Sequence, residues 1–175
     1  MLKDAVLDDT ETYRYSLIRE WDKALGRVCF MMLNPSTADA VSDDPTIRKC
    51  IGFAKYWGYG SIEVVNLFAY RTKNPRELFS YDGDAVGGEN DFYIRQAVER
   101  SRAVVAAWGA EGRDTARVSK VLSLLEMAYC LGRTKKGYPR HPLYLRYDIQ
   151  PELYYQSCWA SRSPSPELQS DLSAK

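Results

Sequence analysis

Val28-Cys29-Phe30-Met31-Met32-Leu33 is an unbroken apolar run, and Asn34-Pro35-Ser36-Thr37-Ala38-Asp39 follows it directly. A run of this length with no polar alternation suits a strand covered on both faces, as in a parallel sheet. The polar stretch that follows, Asn34 to Asp44, reads as the loop at the strand's carboxyl end. Asp44-Pro45-Thr46 then opens a helix, with Asp44 as the capping side chain and Pro45 in the first turn. Ile47, Cys50, Ile51, Ala54 and Trp57 recur at helical spacing, and Gly58 and Gly60 end the element.

The same alternation continues outward. Ile62 to Leu67 reads as a second buried strand, ending at Asn66. A short helix runs from Asn74-Pro75 to Phe79, and residues 81–88 form a loop. Residues 89–101 read as a helix with Phe92, Ala97 and Val98 toward the core. Ala103 to Trp108 is a third buried strand, stopped by Gly109. Residues 114–126 are helical through Val118, Val121, Leu122 and Leu125, and residues 128–131 form a fourth strand. Toward the N-terminus, Tyr13, Tyr15 and Leu17 alternate with polar residues, so 12–19 reads as a strand with one wet face. The succession of strands and helices predicts a three-layer α/β/α fold around a central, mainly parallel, four-stranded sheet. On such sheets ligands bind beyond the carboxyl ends of the strands. Asn34, Asn66, Trp108-Gly109 and the loop 132–142 all fall there.

Length and composition are those of one globular unit, expected over 1–160, with a disordered Ser/Pro-rich tail over 161–175. The formal net charge of +1 argues neither for nor against a nucleic-acid partner. No run reaches the roughly 18 apolar residues of a bilayer span, and the start Met1-Leu2-Lys3-Asp4 has no signal-peptide core. Cys29, Cys50, Cys130 and Cys158 are far apart and form no ligand pair. They read as reduced thiols of a cytoplasmic protein with no metal and no cofactor. Asp39, Asp43 and Asp44 lack the glycine and terminal glutamate of a calcium loop.

Three polar positions stand out for chemistry. The Asn34 amide both donates and accepts, which suits holding a water or gripping a base or phosphate; a simple turn is the competing reading. Asn66 closes an apolar strand, and a buried amide must find partners, either in a neighbouring loop or in a ligand. His141 is the only histidine, held extended between Pro139, Arg140 and Pro142, and could offset anionic charge or donate a hydrogen bond. Arg133, Lys135, Lys136, Arg140 and Arg146 fall in 127–147, a segment without Asp or Glu. Beside a cleft, such a patch attracts phosphates.

The motifs Met32-Leu33-Asn34-Pro35-Ser36-Thr37-Ala38-Asp39, Asp44-Pro45-Thr46-Ile47-Arg48, Asn66-Leu67-Phe68-Ala69-Tyr70-Arg71, Trp108-Gly109 and Gly137-Tyr138-Pro139-Arg140-His141-Pro142-Leu143-Tyr144-Leu145 closely resemble the bacterial and phage DUF1643 family. The resemblance runs from about Tyr13 to Leu145, and the family name carries no activity. A more distant similarity is to uracil-DNA glycosylases. Asn34-Pro35 is similar to their Asn-Pro loop after the first strand, and Asn66 with Arg71 to a strand-ending Asn and a following Arg. Trp108-Gly109 is similar to their Leu-Gly, and His141-Pro142-Leu143 to their His-Pro-Ser loop. That resemblance implies the glycosylase fold, with Asn34 positioning the attacking water, Asn66 reading the base edge and His141 stabilising the departing base anion. Met32 stands where the glycosylases have glycine and Leu143 where they have serine, and no aromatic residue lies between Asn34 and Asp44 to stack on a base.

The leading functional expectation is a hydrolase of N-glycosidic bonds, acting on a base in DNA or on a nucleotide. Asn34 and His141 are its expected catalytic residues. Pro35, Ser36, Thr37, Asp39, Asn66, Arg71, Trp108, Gly109, Lys136, Arg140 and Leu143 are expected to contact the substrate, with Leu143 or Tyr144 as a wedge into the duplex. The alternative is a non-catalytic module that binds a nucleotide or nucleic acid in the same pocket, and a purely structural role is the third. The central expectation is geometric: Asn34, Asn66 and His141 share one site.

Overall fold

The computed structural model describes residues 1–36, 38–112 and 115–158. The 161–175 tail lies outside them. In chain order the elements are β1 (Leu2–Leu7), β2 (Arg14–Glu20), β3 (Arg27–Met32), α1 (Pro45–Tyr56), β4 (Ser61–Asn66), α2 (Pro75–Ser80), α3 (Asn90–Glu99), β5 (Ala103–Ala106), α4 (Thr115–Leu122), β6 (Met127–Cys130) and β7 (Glu152–Gln156), with a short 3₁₀ turn at Pro142–Tyr144.

The strands form one mixed seven-stranded sheet in the order β1-β2-β4-β3-β5-β6-β7. This corrects the four-stranded expectation. β4, β3, β5 and β6 pair in parallel, while β1 and β2 at one side and β7 at the other run antiparallel. β2 falls on the strand read over 12–19, whereas β1 and β7 escaped the sequence pattern because they are the two edge strands. β1 and β7 carry exposed residues throughout much of their length, so neither shows a continuous apolar run.

Alternation along the buried strands divides the core in two. Val28, Phe30 and Met32 join Ile47, Cys50, Phe53 and Ala54 of α1 on one face. Cys29, Met31 and Leu33 join Leu78 of α2, Ile94 and Ala97 of α3 and Val121 of α4 on the other. Each fully buried Val, Leu, Ile or Phe contributes about 1.5–3 kcal/mol, so this double-sided sheet is where the fold's stability concentrates. α1 begins as its sequence dictates: Asp44 Oδ1 accepts from the Ile47 amide at 2.8 Å, and proline stands in the first turn.

Several element readings need correction. α3 buries Asn90, Ile94 and Ala97, whereas Phe92 is 59% exposed. α4 ends at Leu122 rather than near 126, although Leu125 is still buried beyond it. β5 ends at Ala106 rather than at 108, with the Ala107 amide still reaching the Met31 carbonyl at 2.8 Å. The expected open loop 132–142 is largely a hairpin. Thr134 N bonds Tyr138 O at 2.8 Å and Arg140 N bonds Gly132 O at 2.9 Å, with a turn at Gly137 in the left-handed region.

β2 differs most from its reading, because its polar residues are not wet. Ser16 donates to Glu63 at 2.8 Å, and Glu63, fully buried, also pairs with Arg27 at 2.9 Å and Arg100 at 2.6 Å. Arg19, also fully buried, donates to Asp43 at 2.6 Å and to the Asp39 and Ser42 carbonyls. The strand also carries a bulge. Val6 pairs with Ser16 and Leu7 with Arg14, so Tyr15 has no opposite residue. A bulge re-aims the side chains that follow it. Tyr15 stacks on Tyr93 of α3, Leu17 packs in the α1-side cluster, and Arg14 reaches the Ala38 carbonyl on that same α1 side.

Candidate functional site

β3 leads to β4 on one side and β5 leads to β6 on the other, so the chain reverses its progress between β3 and β5. A crevice opens beyond the carboxyl ends of strands at such a point. A cavity of about 320 Å³ lies there, and its walls include Asn34, Ser36, Asn66, Trp108, Gly109 and His141. The three residues expected to share a site therefore face one cavity. Because β2 runs antiparallel to β4, its first residue, Arg14, lies at this same edge and also lines the cavity.

Each polar group has a defined state. Asn34 follows β3, and its Nδ2 donates to the Pro35 carbonyl at 3.0 Å and the Thr72 carbonyl at 2.8 Å. The Thr72 amide returns a bond to Pro35 O at 3.0 Å, so the loops after β3 and β4 are tied together. With both Nδ2 hydrogens committed, Asn34 offers the cavity an acceptor, Oδ1.

Asn66 is the last residue of β4 and is 1% exposed, yet neither Nδ2 nor Oδ1 has a hydrogen-bond partner among the described residues. Leaving a buried amide unsatisfied costs about 1–3 kcal/mol by protein mutational measures. Groups of this kind call for an explanation beyond packing.

His141 caps the 3₁₀ turn, its Nδ1 accepting from the Leu143 amide at 3.3 Å. The proton of the neutral ring is thereby placed on Nε2. Burial pushes the imidazole below its ordinary range, with Asp44 pulling the other way. Gly109 has φ +74, and a Cβ there would stand 3.3 Å from His141 Cβ. Glycine at this position lets the β5 loop turn sharply while the histidine packs against it.

Other expected contacts lie elsewhere. The Asp39 carboxylate accepts from the Val41 and Ser42 amides at 2.7 Å, bonds that hold it below the usual carboxylate range; it shapes the loop and does not line the cavity. Arg71 donates to the Glu11 carbonyl at 3.0 Å. Pro35, Arg71, Lys136, Arg140 and Leu143 are absent from the cavity wall, and Thr37 lies outside the described residues. Of the basic segment, Arg133 is tied to the Leu153 and Tyr154 carbonyls and Arg146 to Asp148. The cationic patch is thus smaller than its sequence count.

The cavity also presents residues that the sequence reading does not assign to the site: Arg14, Asp44, Lys73 and Glu111. Alternation puts Arg14 on a solvated strand face, and capping alone accounts for Asp44 in the sequence. Lys73 and Glu111 carry no local signal at all. Among the described residues no cluster of three or more His, Cys, Asp or Glu could hold a metal ion. Cys29, Cys50 and Cys130 are buried free thiols pushed up by burial, as their apolar setting suggested. No helix among the described residues is long and apolar enough to cross a membrane.

A family model described as a protein of unknown function, DUF1643, matches residues 14–143. No curated protein and no solved structure matches the chain.

Proposed function

The chain belongs to the DUF1643 family, and for it we propose a glycosylase-like hydrolase that cleaves the N-glycosidic bond of a base carried by a nucleotide or by DNA. The observation that carries the proposal is Asn66: a buried amide with no protein partner, on the wall of the cavity. A planar amide offers one acceptor beside two donors, the complement of a nucleobase edge. The order of strand-end residues, similar to that of uracil-DNA glycosylases, supports the same reading.

In this proposal Asn34 Oδ1 accepts a hydrogen bond from a water and orients it toward C1′ of the sugar. The water oxygen forms a bond to C1′ as the C1′–N bond breaks, and the electron pair leaves with the base. Neutral His141 donates from Nε2 to the oxygen on which that negative charge gathers. Its depressed pKa suits a donor that stays neutral at pH 7. The departing base takes up the proton released by the attacking water. For a duplex substrate, Tyr144, 92% exposed in the turn after His141, would wedge into the stack as a base is flipped.

The tether on Asn34 favours the second reading, a binding module. Both Nδ2 hydrogens hold loops together, a role that needs no catalysis. One experiment separates the two. The protein is incubated with oligonucleotides and nucleotides bearing a panel of natural and modified bases, and free base is sought by mass spectrometry. Release by the wild type that is lost in Asn34→Ala supports hydrolysis. Binding without release by any substrate leaves the module.

A further inference from the structure

We infer that the cavity holds a phosphomonoester on Arg14, so that its ligand is a free nucleoside monophosphate rather than a nucleotide within a strand; the base half of this ligand rests on the reading of Asn66 given above. The inference starts from an isolated buried cation. Arg14 is 2% exposed, and its guanidinium makes one hydrogen bond, Nη1 to the Ala38 carbonyl at 2.7 Å. Among the described residues its Nε has no partner and no carboxylate forms an ion pair with it. The other deeply buried arginines are treated differently. Arg19 is paired with Asp43 and Arg117 with Asp91, both at 2.6 Å. A charge without a counter-ion at this depth is expensive unless something anionic joins it.

Burial lowers the Arg14 pKa to about 10, which leaves it protonated at neutral pH. The neighbouring Arg71 and Arg19 add positive potential, while Asp44 and Asp39 offset it. Lys73, on the cavity wall, supplies a second cation. A planar guanidinium with spare donors beside a flexible ammonium matches an oxyanion carrying more than one charge.

Position then favours a monomer. Arg14 opens β2 and Asn66 closes β4, on adjacent strands about 4.8 Å apart. An anion on Arg14 and a base on Asn66 therefore belong to one small ligand. A phosphodiester must continue as chain in both directions, and a guanidinium 2% exposed leaves no room for that continuation. The exposed Lys136 and Arg140, which would track a strand, do not line the cavity. A carboxylate could satisfy the same guanidinium, and inorganic phosphate alone could as well, so both are probes in the test.

The test is isothermal titration of the full chain. The probes are deoxynucleosides of natural and 5-substituted bases, their 5′- and 3′-monophosphates, inorganic phosphate, acetate, and trinucleotides without terminal phosphate that carry the same base centrally. For the preferred base, one monophosphate is expected to bind roughly tenfold or more tightly than its nucleoside, a factor of ten being about 1.4 kcal/mol. That advantage should vanish in Arg14→Met and shrink in Arg14→Lys, which keeps the charge but not the fork. Equal affinity of nucleoside and monophosphate overturns the inference and leaves the base reading standing. So does a phosphate advantage that survives both substitutions, and so does a trinucleotide that binds as tightly as the monophosphate. Tight binding of every monophosphate regardless of base, unchanged by Asn66→Leu, would instead keep the anion subsite and remove the base reading. The wild-type comparison decides even where Arg14→Met does not fold. No binding of any probe overturns both.

Discussion

Two asparagines in contact through the backbone should respond oppositely to the same substitution. Asn66 is 1% exposed with both amide atoms unpartnered, whereas Asn90, fully buried, donates from Nδ2 to the Asn66 carbonyl at 3.0 Å and the Leu67 carbonyl at 3.1 Å. Leucine keeps the branching of asparagine at Cγ and removes the polar atoms. In Asn66→Leu the cost of an unsatisfied amide disappears, so the variant should gain about 1–3 kcal/mol. For a chain of this length each kcal/mol moves the melting temperature by about 2–4 °C, giving a rise of roughly 2–12 °C. In Asn90→Leu two buried carbonyls lose a donor. The Leu67 carbonyl retains Arg117 Nε at 2.6 Å, so the main loss falls at Asn66. That loss should be about 1–3 kcal/mol in the destabilising direction. Urea unfolding of the two variants beside the wild type measures both. A loss of more than about 1 kcal/mol in Asn66→Leu would mean that its amide already serves the folded protein, and would remove the reason for assigning it to a ligand. A gain accompanied by loss of nucleotide binding is the signature of a residue kept for function at the expense of stability.

Other consequences can be checked independently. His141 has a folded-state pKa below its ordinary value, so it contributes stability that is present above about pH 6.5 and lost as pH falls through the lowered pKa. Urea unfolding between pH 8 and 5 should show this loss, and His141→Gln should flatten it; an equal slope in both proteins would assign the titration elsewhere. Gly109→Ala introduces a side chain at φ +74 beside His141 and should cost about 1–2 kcal/mol while weakening nucleotide binding; unchanged stability and affinity would free the β5 loop of any role in placing the histidine. Asp43→Asn removes the partner of fully buried Arg19 and should cost about 3–5 kcal/mol in chemical denaturation, with a smaller loss in the double variant Arg19→Met, Asp43→Leu. Lys136→Ala with Arg140→Ala should leave nucleotide affinity unchanged, since neither residue lines the cavity; a tenfold loss by titration would move the phosphate to the hairpin.

What was readable in the sequence is what packing alone controls. The runs 28–33, 62–67 and 103–108 must be buried wherever they occur, and a parallel arrangement brings their carboxyl ends to one edge. That is why Asn34 and Asn66 are legible at one edge, while His141 joins them through the strand read over 128–131 and the strand order that the glycosylase resemblance implies; the Asp44 cap is legible from three residues. The unread part depends on long-range pairing. Arg19 looks like a solvent-facing residue because its partner, Asp43, comes from elsewhere in the chain, and nothing near Glu63 announces the Arg100 that pairs with it inside a buried strand. The basic segment looked like a phosphate grip because Asp148 and the β7 carbonyls that hold Arg146 and Arg133 lie outside it.

Arg14 is the sharpest instance. Strict alternation along β2 would put Arg14 on the same face as Ser16, whose hydroxyl meets the Glu63 network. Only the extra residue Tyr15 turns it to the other face, toward Ala38 and the cavity. Nothing local to Tyr13-Arg14-Tyr15-Ser16 announces a bulge, because the register is set by the pairing of β1 with β2, and β1 has no apolar run to reveal it. The place of the buried guanidinium on the cavity wall thus rests on one extra residue, Tyr15, in an edge hairpin. Removing the bulge would restore regular alternation and take the guanidinium out of the site without touching a cavity residue. The phosphate subsite and the bulge therefore stand or fall together. Deletion of Tyr15 in a chain that still unfolds cooperatively should abolish the monophosphate advantage as fully as Arg14→Met. A retained advantage would show that the guanidinium reaches the cavity by some other route than the register of β2.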